Sequence, residues 1–428
     1  MKKIYKNLNI LDGTKDMSLQ KNMMITVENG KIVAIEESGN VVGDNVVDLN
    51  GKFVTPGLVN LHVHIPATGF PKKKETDNKK LVKILKKSKF TLNLAQKILC
   101  NPSAKTELLS GCTTIRAVGG VAYLDSKMRD EIKAGKIIGP RMISCNEAIT
   151  IPGGHMEGTV AVGANSLEEF AQLVERNIKD GVDWIKIMIT GGVLDAKVKG
   201  EPGELKMTPE QVKVCCDTAH KHGIKVCAHV ESPKGVKVAI ENGVDSIEHG
   251  SEMTDETVKL FLDNNAALVC TLSPAIPLAR FNPETTHADE VVIYNSEVLL
   301  QSIIKGVKSA LEEGVTVGLG TDTGCPYITH YDMWRELEYY HKFIGVSRKD
   351  ALYTGTLQNA KILGLDKETG SIEVGKSADF IVMSKNPLDG FDAIRDLDLV
   401  VFKGKEYSEK PAKNADCERE LDKFLASL

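Results

Sequence analysis

Along the first 57 residues, apolar and polar positions alternate in short runs broken by turn residues, as in MMITVENGKIVAI, where Asn29-Gly30 separates two β-patterned segments. Alternation is the mark of half-buried strands, and Asn-Gly supplies the two left-handed residues of a tight hairpin turn. The same texture returns near the other end in GSIEVGKSADFIVM and DLVVFKGKEY. Neither end has enough strands for a core of its own. The two ends are therefore expected to combine into one small β-sandwich domain, residues 1–57 plus 366–412, with the rest of the chain inserted between them. From about Asn414 the pattern becomes that of a short charged helix, residues 413–428.

The middle of the chain keeps a different rhythm: a helix-patterned stretch, a glycine, then a β-rich run. Gly111 precedes CTTIRAV, Gly139 PRMISC, Gly181 VDWIKIMIT, Gly223 IKVCAHV, Gly243 VDSIEH and Gly314 VTVGLGTD, while Asn265 takes the same place before AALVCTL. Such a residue just past a helix accepts the left-handed conformation that closes it, so each marks a helix-to-strand corner. With GLVNLHVHI near residue 57 there are eight strand candidates, separated mainly by helical stretches such as SLEEFAQLVERNIKD and TPEQVKVCCDTAHKH. Eight units in series predict an α/β fold, a (β/α)8 TIM barrel over residues 58–365. An open doubly wound sheet would reproduce most of the same signals.

At 428 residues, 42% hydrophobic and 26% charged, the chain can bury a large core and is neither disordered nor membrane-spanning. The opening MKKIYKNLNILDG lacks the apolar stretch of a signal peptide, so a cytoplasmic location is the default expectation. A net charge of -4 gives no global reason to expect nucleic acid or a membrane as partner. Nine cysteines without CxxC spacing read as reduced core thiols rather than a disulfide framework or zinc ribbon. Residues 72–89, KKKETDNKKLVKILKKSK, break the charge balance with nine lysines against two acids, and a helix is expected to begin around Asn78. This segment reads as a solvated helix face or, alternatively, as a basic rim that attracts anionic substrate.

The first strand candidate ends in Leu61-His62-Val63-His64-Ile65. Residues i and i+2 of a strand face the same side, so His62 and His64 share one space, which at the C-terminal end of a barrel strand is the active-site mouth. Two neutral imidazoles make half of a metal shell. Lys186 lies inside the apolar run WIKIMI of the fourth strand, where desolvating an isolated ammonium costs roughly several kcal/mol. Such a lysine snorkels at the rim, or is neutralised, or is used: a free amine reacts with CO2 to give a carbamate that can bridge two metal ions. His229 ends strand five in VCAH, His249 ends strand six in SIEH, and Asp322 closes strand eight in VGLGTD. Each is ordinary alone. Together the six predict one site, with one metal or two left open.

The segments VTPGLVNLHVH, DWIKIMITGG, KVCAHVES, GVDSIEHGS, GLGTDTG and GSIEVGKSADFIVM, in this order and over nearly the whole chain, resemble the amidohydrolase superfamily. Within it they resemble the metal-dependent prolidase-like and imidazolonepropionase-like group. The resemblance implies two divalent metal ions: one held by His62, His64 and Asp322, the other by His229 and His249. It also implies that a carboxylated Lys186, its carbamate derived from CO2, bridges them together with a hydroxide. Zinc is the expected metal, although these ligands also accept Mn, Fe or Co. Asp322 would then be both ligand and catalytic base, passing a proton to the leaving amine. A homo-oligomer is implied as well.

His155, in the loop Ile151-Pro152-Gly153-Gly154-His155 after strand three, resembles a family loop that contacts substrate, and is a candidate catalytic and substrate-binding group. Arg116, ending strand two, is a candidate carboxylate clamp through its bidentate fork, or else a rim ion pair. Many dipeptide-cleaving relatives have His-Ala-Tyr after strand five, whereas this chain has His229-Val230-Glu231, which offers a carboxylate to a cationic amine on the substrate. The expected activity is hydrolysis of the amide bond of a small molecule, a dipeptide or N-acyl amino acid. The alternative is a cyclic or xenobiotic amide, imidazolonepropionase-like or ochratoxin-type. Deamination ranks lower because deaminases of the superfamily generally lack the strand-four lysine, and a non-catalytic scaffold would not keep all six groups.

Overall fold

A computed structural model of the chain describes residues 2–71 and 77–428. Residues 72–76 of the lysine-rich stretch lie outside the described residues. The remainder of that stretch begins with a helix at Asn78–Leu85, its first turn capped by the Asp77 side chain.

The N-terminal region supplies strands β1 (Lys2–Ile10), β2 (Gln20–Glu28), β3 (Lys31–Glu37) and β4 (Val46–Pro56). The central region supplies β5 (Leu58–Val63), β6 (Cys112–Ala117), β7 (Arg141–Ser144), β8 (Ala148–Thr150), β9 (Ala161–Gly163), β10 (Trp184–Met188), β11 (Lys225–Val230), β12 (Ser246–His249), β13 (Ala267–Cys270) and β14 (Thr316–Leu319). The C-terminal region adds β15 (Phe380–Met383), β16 (Leu399–Phe402) and β17 (Lys405–Tyr407).

Both chain ends enter one sheet, ordered β17-β16-β15-β4-β1-β2-β3. Asn29 and Gly30, with φ of 51° and 79°, make the turn between β2 and β3. The sheet encloses its own apolar cluster, in which Tyr5 and Phe380 meet edge to face at 5.2 Å among buried Ile25, Val54, Val382 and Val401. Its outer strand β3 is tied back to the segment before β15, Ile32 N donating to Lys376 O at 3.0 Å and Gly375 N to Ile32 O at 2.8 Å. Pairing runs unbroken through β1, β4 and β15, so the strands of the two ends form one continuous sheet.

Each of the eight expected central runs contains a strand, and these form two parallel sheets, β5-β6-β7 and β14-β13-β12-β11-β10-β8-β9. The short β8 and β9 are additions that three residues of pattern cannot announce. Backbone bonds link the two sheets at two places, one beside β14 and one beside β10. At the first, Asp322 N donates to His62 O and His64 N to Thr323 O, both at 2.9 Å; at the second, Asp183 N, just before β10, donates to Ser144 O at the end of β7 at 2.9 Å. Helix Leu167–Lys179 starts at the Ser166 cap, and helix Pro209–Lys221 at a capping box of Thr208 and Gln211. At the corners, Gly181 (φ 80°) and Asn265 (φ 50°) are left-handed as predicted. Gly139 is not; there the constraint is space, since a Cβ would lie 2.6 Å from the Ile132 side chain. Among the described residues no helix is long and apolar enough to cross a membrane.

A charged cluster fastens the parallel strands to the end-derived sheet. Arg141 on β7 donates to Asp379 Oδ2 and to Glu368 Oε1, both at 2.8 Å, and Asp379 also accepts from Thr369 Oγ1, Ser377 Oγ and Lys403 N. Asp379 is buried, so removing its carboxylate leaves Arg141 to the exposed Glu368 and strips Thr369, Ser377 and Lys403 of a buried acceptor. Asp379→Ala is expected to lower unfolding free energy by about 3–5 kcal/mol in a denaturant titration. A loss below about 1 kcal/mol, the range of exposed pairs, would show that this cluster is not what joins the two parts.

Candidate metal centre and active site

The structure brings His62 and His64 from the end of β5, Lys186 from β10, His229 from β11, His249 from β12 and Asp322 from just beyond β14 into the wall of one cavity of about 340 Å³. His155 and Glu231 line it too. Asp322 Oδ1 lies 3.3 Å from His62 Nε2 and 3.2 Å from His64 Nε2. The ring centroids of His62 and His229 lie 4.8 and 4.7 Å from that of His249. Two overlapping groups have potential ligand atoms within 4.8 Å of one another: His62, His249 and Asp322, and His229, Glu231 and His249.

Each imidazole has one nitrogen occupied by a protein partner. His62 Nδ1 faces Glu248 Oε2 at 2.8 Å, and His64 Nδ1 faces Gly119 O at 2.9 Å. His229 Nε2 faces Gly191 O at 3.2 Å, and His249 Nδ1 faces Thr271 Oγ1 at 2.7 Å. Fixing one nitrogen sets the tautomer and leaves the other to accept a ligand. Burial pushes His229 and His249 well below the ordinary imidazole value, with neighbouring imidazoles adding to the effect, and both are therefore neutral, the form that binds metal. Burial opposes ionisation of Asp322, yet His62 and the imidazoles around it hold the carboxyl well below its usual range. The Lys186 Nζ is buried without any hydrogen-bond partner. Such an orphaned amine facing a cluster of imidazoles and a carboxylate is otherwise costly to keep.

His249 and Asp322 have φ of 65° and 57°, a conformation that costs a non-glycine residue about 1–3 kcal/mol and is retained where function demands it. Gly320 permits a second close approach: a Cβ there would sit 2.5 Å from the His62 Cβ.

The remaining candidates separate. His155 stacks on His229 at 4.1 Å with 10° between ring planes, and its Nδ1 meets Asp195 Oδ2 at 2.5 Å. Glu231 Oε2 accepts from Val193 N at 3.0 Å, and burial, reinforced by Asp322, pushes its carboxyl well above the ordinary value. Arg116 corrects the expectation of a substrate clamp. Its side chain is fully buried beneath the cavity, where Nε donates to Leu61 O, Nη1 to Ser246 Oγ and Nη2 to Glu248 Oε1, and its guanidinium lies over Trp184. Arg116 is not among the residues that line the cavity, so its guanidinium does not reach a substrate there. Glu248, Thr271 and Asp195 are site residues that sequence reasoning missed. The sequence did carry a signal for Glu248: an acid and Arg116, each inside an apolar strand, need each other.

A sequence model described as the amidohydrolase family matches residues 53–407. Ochratoxinase of Aspergillus niger is 26% identical over 341 residues, covering 72% of this chain and 69% of that protein. A provisionally named prolidase from Bifidobacterium longum has a crystal structure similar at a TM-score of 0.85 and 36% identity, covering 99% of this chain and 98% of that one. A Xaa-Pro dipeptidase crystallised with methionine in its active site is similar at a TM-score of 0.83 and 29% identity, covering 96% of this chain and all 100% of that one.

Because Arg116 holds Glu248 ionised, well below the usual carboxylate range despite burial, Glu248 is a strong acceptor for His62 Nδ1–H. Loss of such an orienting partner typically costs 10–100-fold in metal affinity. Glu248→Gln is expected to weaken divalent-ion uptake by about that factor in competition with a chelator. Unchanged uptake would rule out an orienting role for Glu248.

Proposed function

The chain belongs to the amidohydrolase family, and on that premise we propose that it hydrolyses the amide bond of a dipeptide or an N-acyl amino acid at a two-metal centre. It is a hydrolase of C–N bonds acting on small molecules. The observation that carries the finer reading is the orphaned Lys186 amine, buried in a cavity wall that it shares with four imidazoles. In the same reading the eight long central runs close into a (β/α)8 barrel over residues 58–365, supported by the backbone bonds that link the two parallel sheets beside β14 and beside β10. Residues 1–57 with 366–412 form the second domain, residues 413–428 form a C-terminal helix, and the protein is a cytoplasmic homo-oligomer.

The side chains fit divalent ions: neutral imidazoles, an ionised carboxylate and an unpaired amine make a nitrogen and oxygen donor set. His62, His64 and Asp322 would hold one ion and His229 and His249 the other, with Lys186 joining both as a carbamate. Zinc is the ion we assign. When bound, such ions activate water and polarise the scissile carbonyl.

The chain's own groups do the rest. Asp322 takes up a proton at its carboxylate and returns it to the leaving nitrogen, held in place by His62 and His64 on one side and its backbone bond to His62 O on the other. His155, anchored through Nδ1 by Asp195, turns Nε2 toward the substrate carbonyl or carboxylate. Glu231, fixed by Val193 N, receives a substrate amine. Met156, Val160, Leu194, Leu278, Val292 and Tyr327 line the cavity and exclude water from around the apolar part of the substrate.

Those apolar walls, together with the likeness to ochratoxinase, favour a second reading, hydrolysis of a cyclic or xenobiotic amide. The deciding experiment is a panel of dipeptides, N-acyl amino acids and aromatic amides assayed with metal-loaded enzyme. Turnover restricted to the last class would replace the first reading with the second.

Asp322→Asn is expected to lower kcat by about 10²–10⁴-fold while the protein retains part of its metal by elemental analysis. Full activity in that variant would remove Asp322 from the proton path. Glu231→Gln should cut kcat/KM about tenfold for basic dipeptides and leave neutral ones little changed. Equal selectivity before and after the substitution would remove Glu231 from amine recognition.

A further inference from the structure

Residues 77–98 take no part in the site described above. The helix Asn78–Leu85, the helix Lys89–Ala95 and the π-helical turn Gln96–Cys100 that continues it turn Val82, Leu92, Ala95 and Cys100 inward. Outward they present Leu81, Ile84, Phe90, Leu94 and Ile98, all exposed, with Phe90 at 75%. Phe90, Leu94 and Ile98 recur every four residues and so make one apolar stripe. Among the described residues, Lys80, Lys83, Lys87, Lys89 and Lys97 make no ion pair, whereas Lys79 and Lys86 are paired with Glu157 and Glu147. An exposed apolar stripe with five unpaired ammonium groups in the same segment is the composition of a surface that needs both an apolar and an anionic counterpart.

We propose that this surface docks peripherally on an anionic lipid bilayer, with the lysines against phosphate headgroups and the Phe90, Leu94 and Ile98 stripe at the acyl boundary. Charge decides between the two occupants that an apolar helix face usually has. A second copy packed through the same face about a two-fold axis would set these lysines against their own counterparts, a like-charge contact with no acid in the segment beyond Asp77 to relieve it. An anionic bilayer satisfies both the charge and the apolar stripe. The whole-chain charge of -4 conceals this because it averages over a surface on which basic groups are concentrated in one place. The surface also adjoins the cavity: Lys79 pairs with Glu157, whose neighbour Met156 is part of the cavity wall. Docking would therefore bring the cavity mouth close to the lipid surface.

The test is co-sedimentation of the full-length protein, without substrate, with vesicles of phosphatidylcholine alone and of phosphatidylcholine mixed with phosphatidylglycerol. The readout is binding, so failure here leaves the proposed hydrolysis untouched. Binding at least about tenfold tighter to the anionic vesicles, weakened by salt, is the expected result. Replacing Lys83, Lys87 and Lys89 together by glutamine should abolish the preference, and Phe90→Ser should weaken binding to the same vesicles while hydrolytic activity stays at the wild-type level. Equal or absent binding to the two vesicle types would overturn the proposal. So would a vesicle-independent oligomer that Phe90→Ser dissociates in size-exclusion chromatography, which would assign the stripe to a second copy of the chain.

Discussion

Arg116 on β6 and Glu248 on β12 are fully buried, and their 2.6 Å ion pair links two strands that belong to different sheets. A charge left alone there would cost about 3–5 kcal/mol, so the pair and everything it touches is held to one arrangement. Arg116 also binds Leu61 O, one residue before His62, and the Ser246 hydroxyl at the start of β12. The second carboxylate oxygen of Glu248 then orients His62. The position of the first candidate ligand thus follows from neutralising a cation in the core. Lys186 is left over: the Glu248 oxygens are taken by Arg116, Ser246 and His62, and the Lys186 amine has no hydrogen-bond partner. That uncommitted amine is what sets Lys186 apart from the other polar groups of the floor.

The neighbouring backbone shows the cost of this precision. Left-handed His249 is followed by Gly250, φ 81°, whose N–H lies 3.0 Å from Val230 O and 2.8 Å from Glu248 O. Left-handed Asp322 is held by its N–H on His62 O. Both strained residues sit where a strand ends, so the strain is confined to one residue each and the flanking ladder hydrogen bonds are untouched. Rigid strands on either side over-determine those two positions, and a flexible loop would simply relax them.

Much of this was legible in the chain itself. The alternating His-Val-His at the end of β5 and single polar residues closing later strands are local patterns with a fixed geometric meaning, and they brought together His62, His64, Lys186, His229, His249 and Asp322. Partners were harder to read. Glu248 stands 132 positions from Arg116 and 186 from His62, and no local period relates them. Arg116 was misread for the same reason: a guanidinium at a strand's end looks like a rim group until the acid beneath it is seen. Asp195 and Thr271 contribute single side chains from connections without a repeating pattern. The sheet made from both ends was inferred from a shortage of strands at each, but a shortage could not say whether one sheet or two would result.

The site divides into a floor and walls of different physical character. The floor consists of strand ends whose polar atoms are nearly all committed: each imidazole has a second partner, and Glu248 has three. Such a network tolerates few changes, since removing any member leaves a buried group unsatisfied. The walls come from connections, with Met156 and His155 after β8, Leu194 after β10, Leu278 and Val292 beyond β13, and Tyr327 beyond β14. Their contacts are mainly apolar, and exchanging one apolar side chain for another changes cavity shape without stranding a charge. Glu231 spans the division, because it follows directly from β11 yet is held by Val193 in a wall. A chain built this way can keep the chemistry of C–N hydrolysis fixed while its substrate varies, and Glu231 is the polar position at which the two requirements meet.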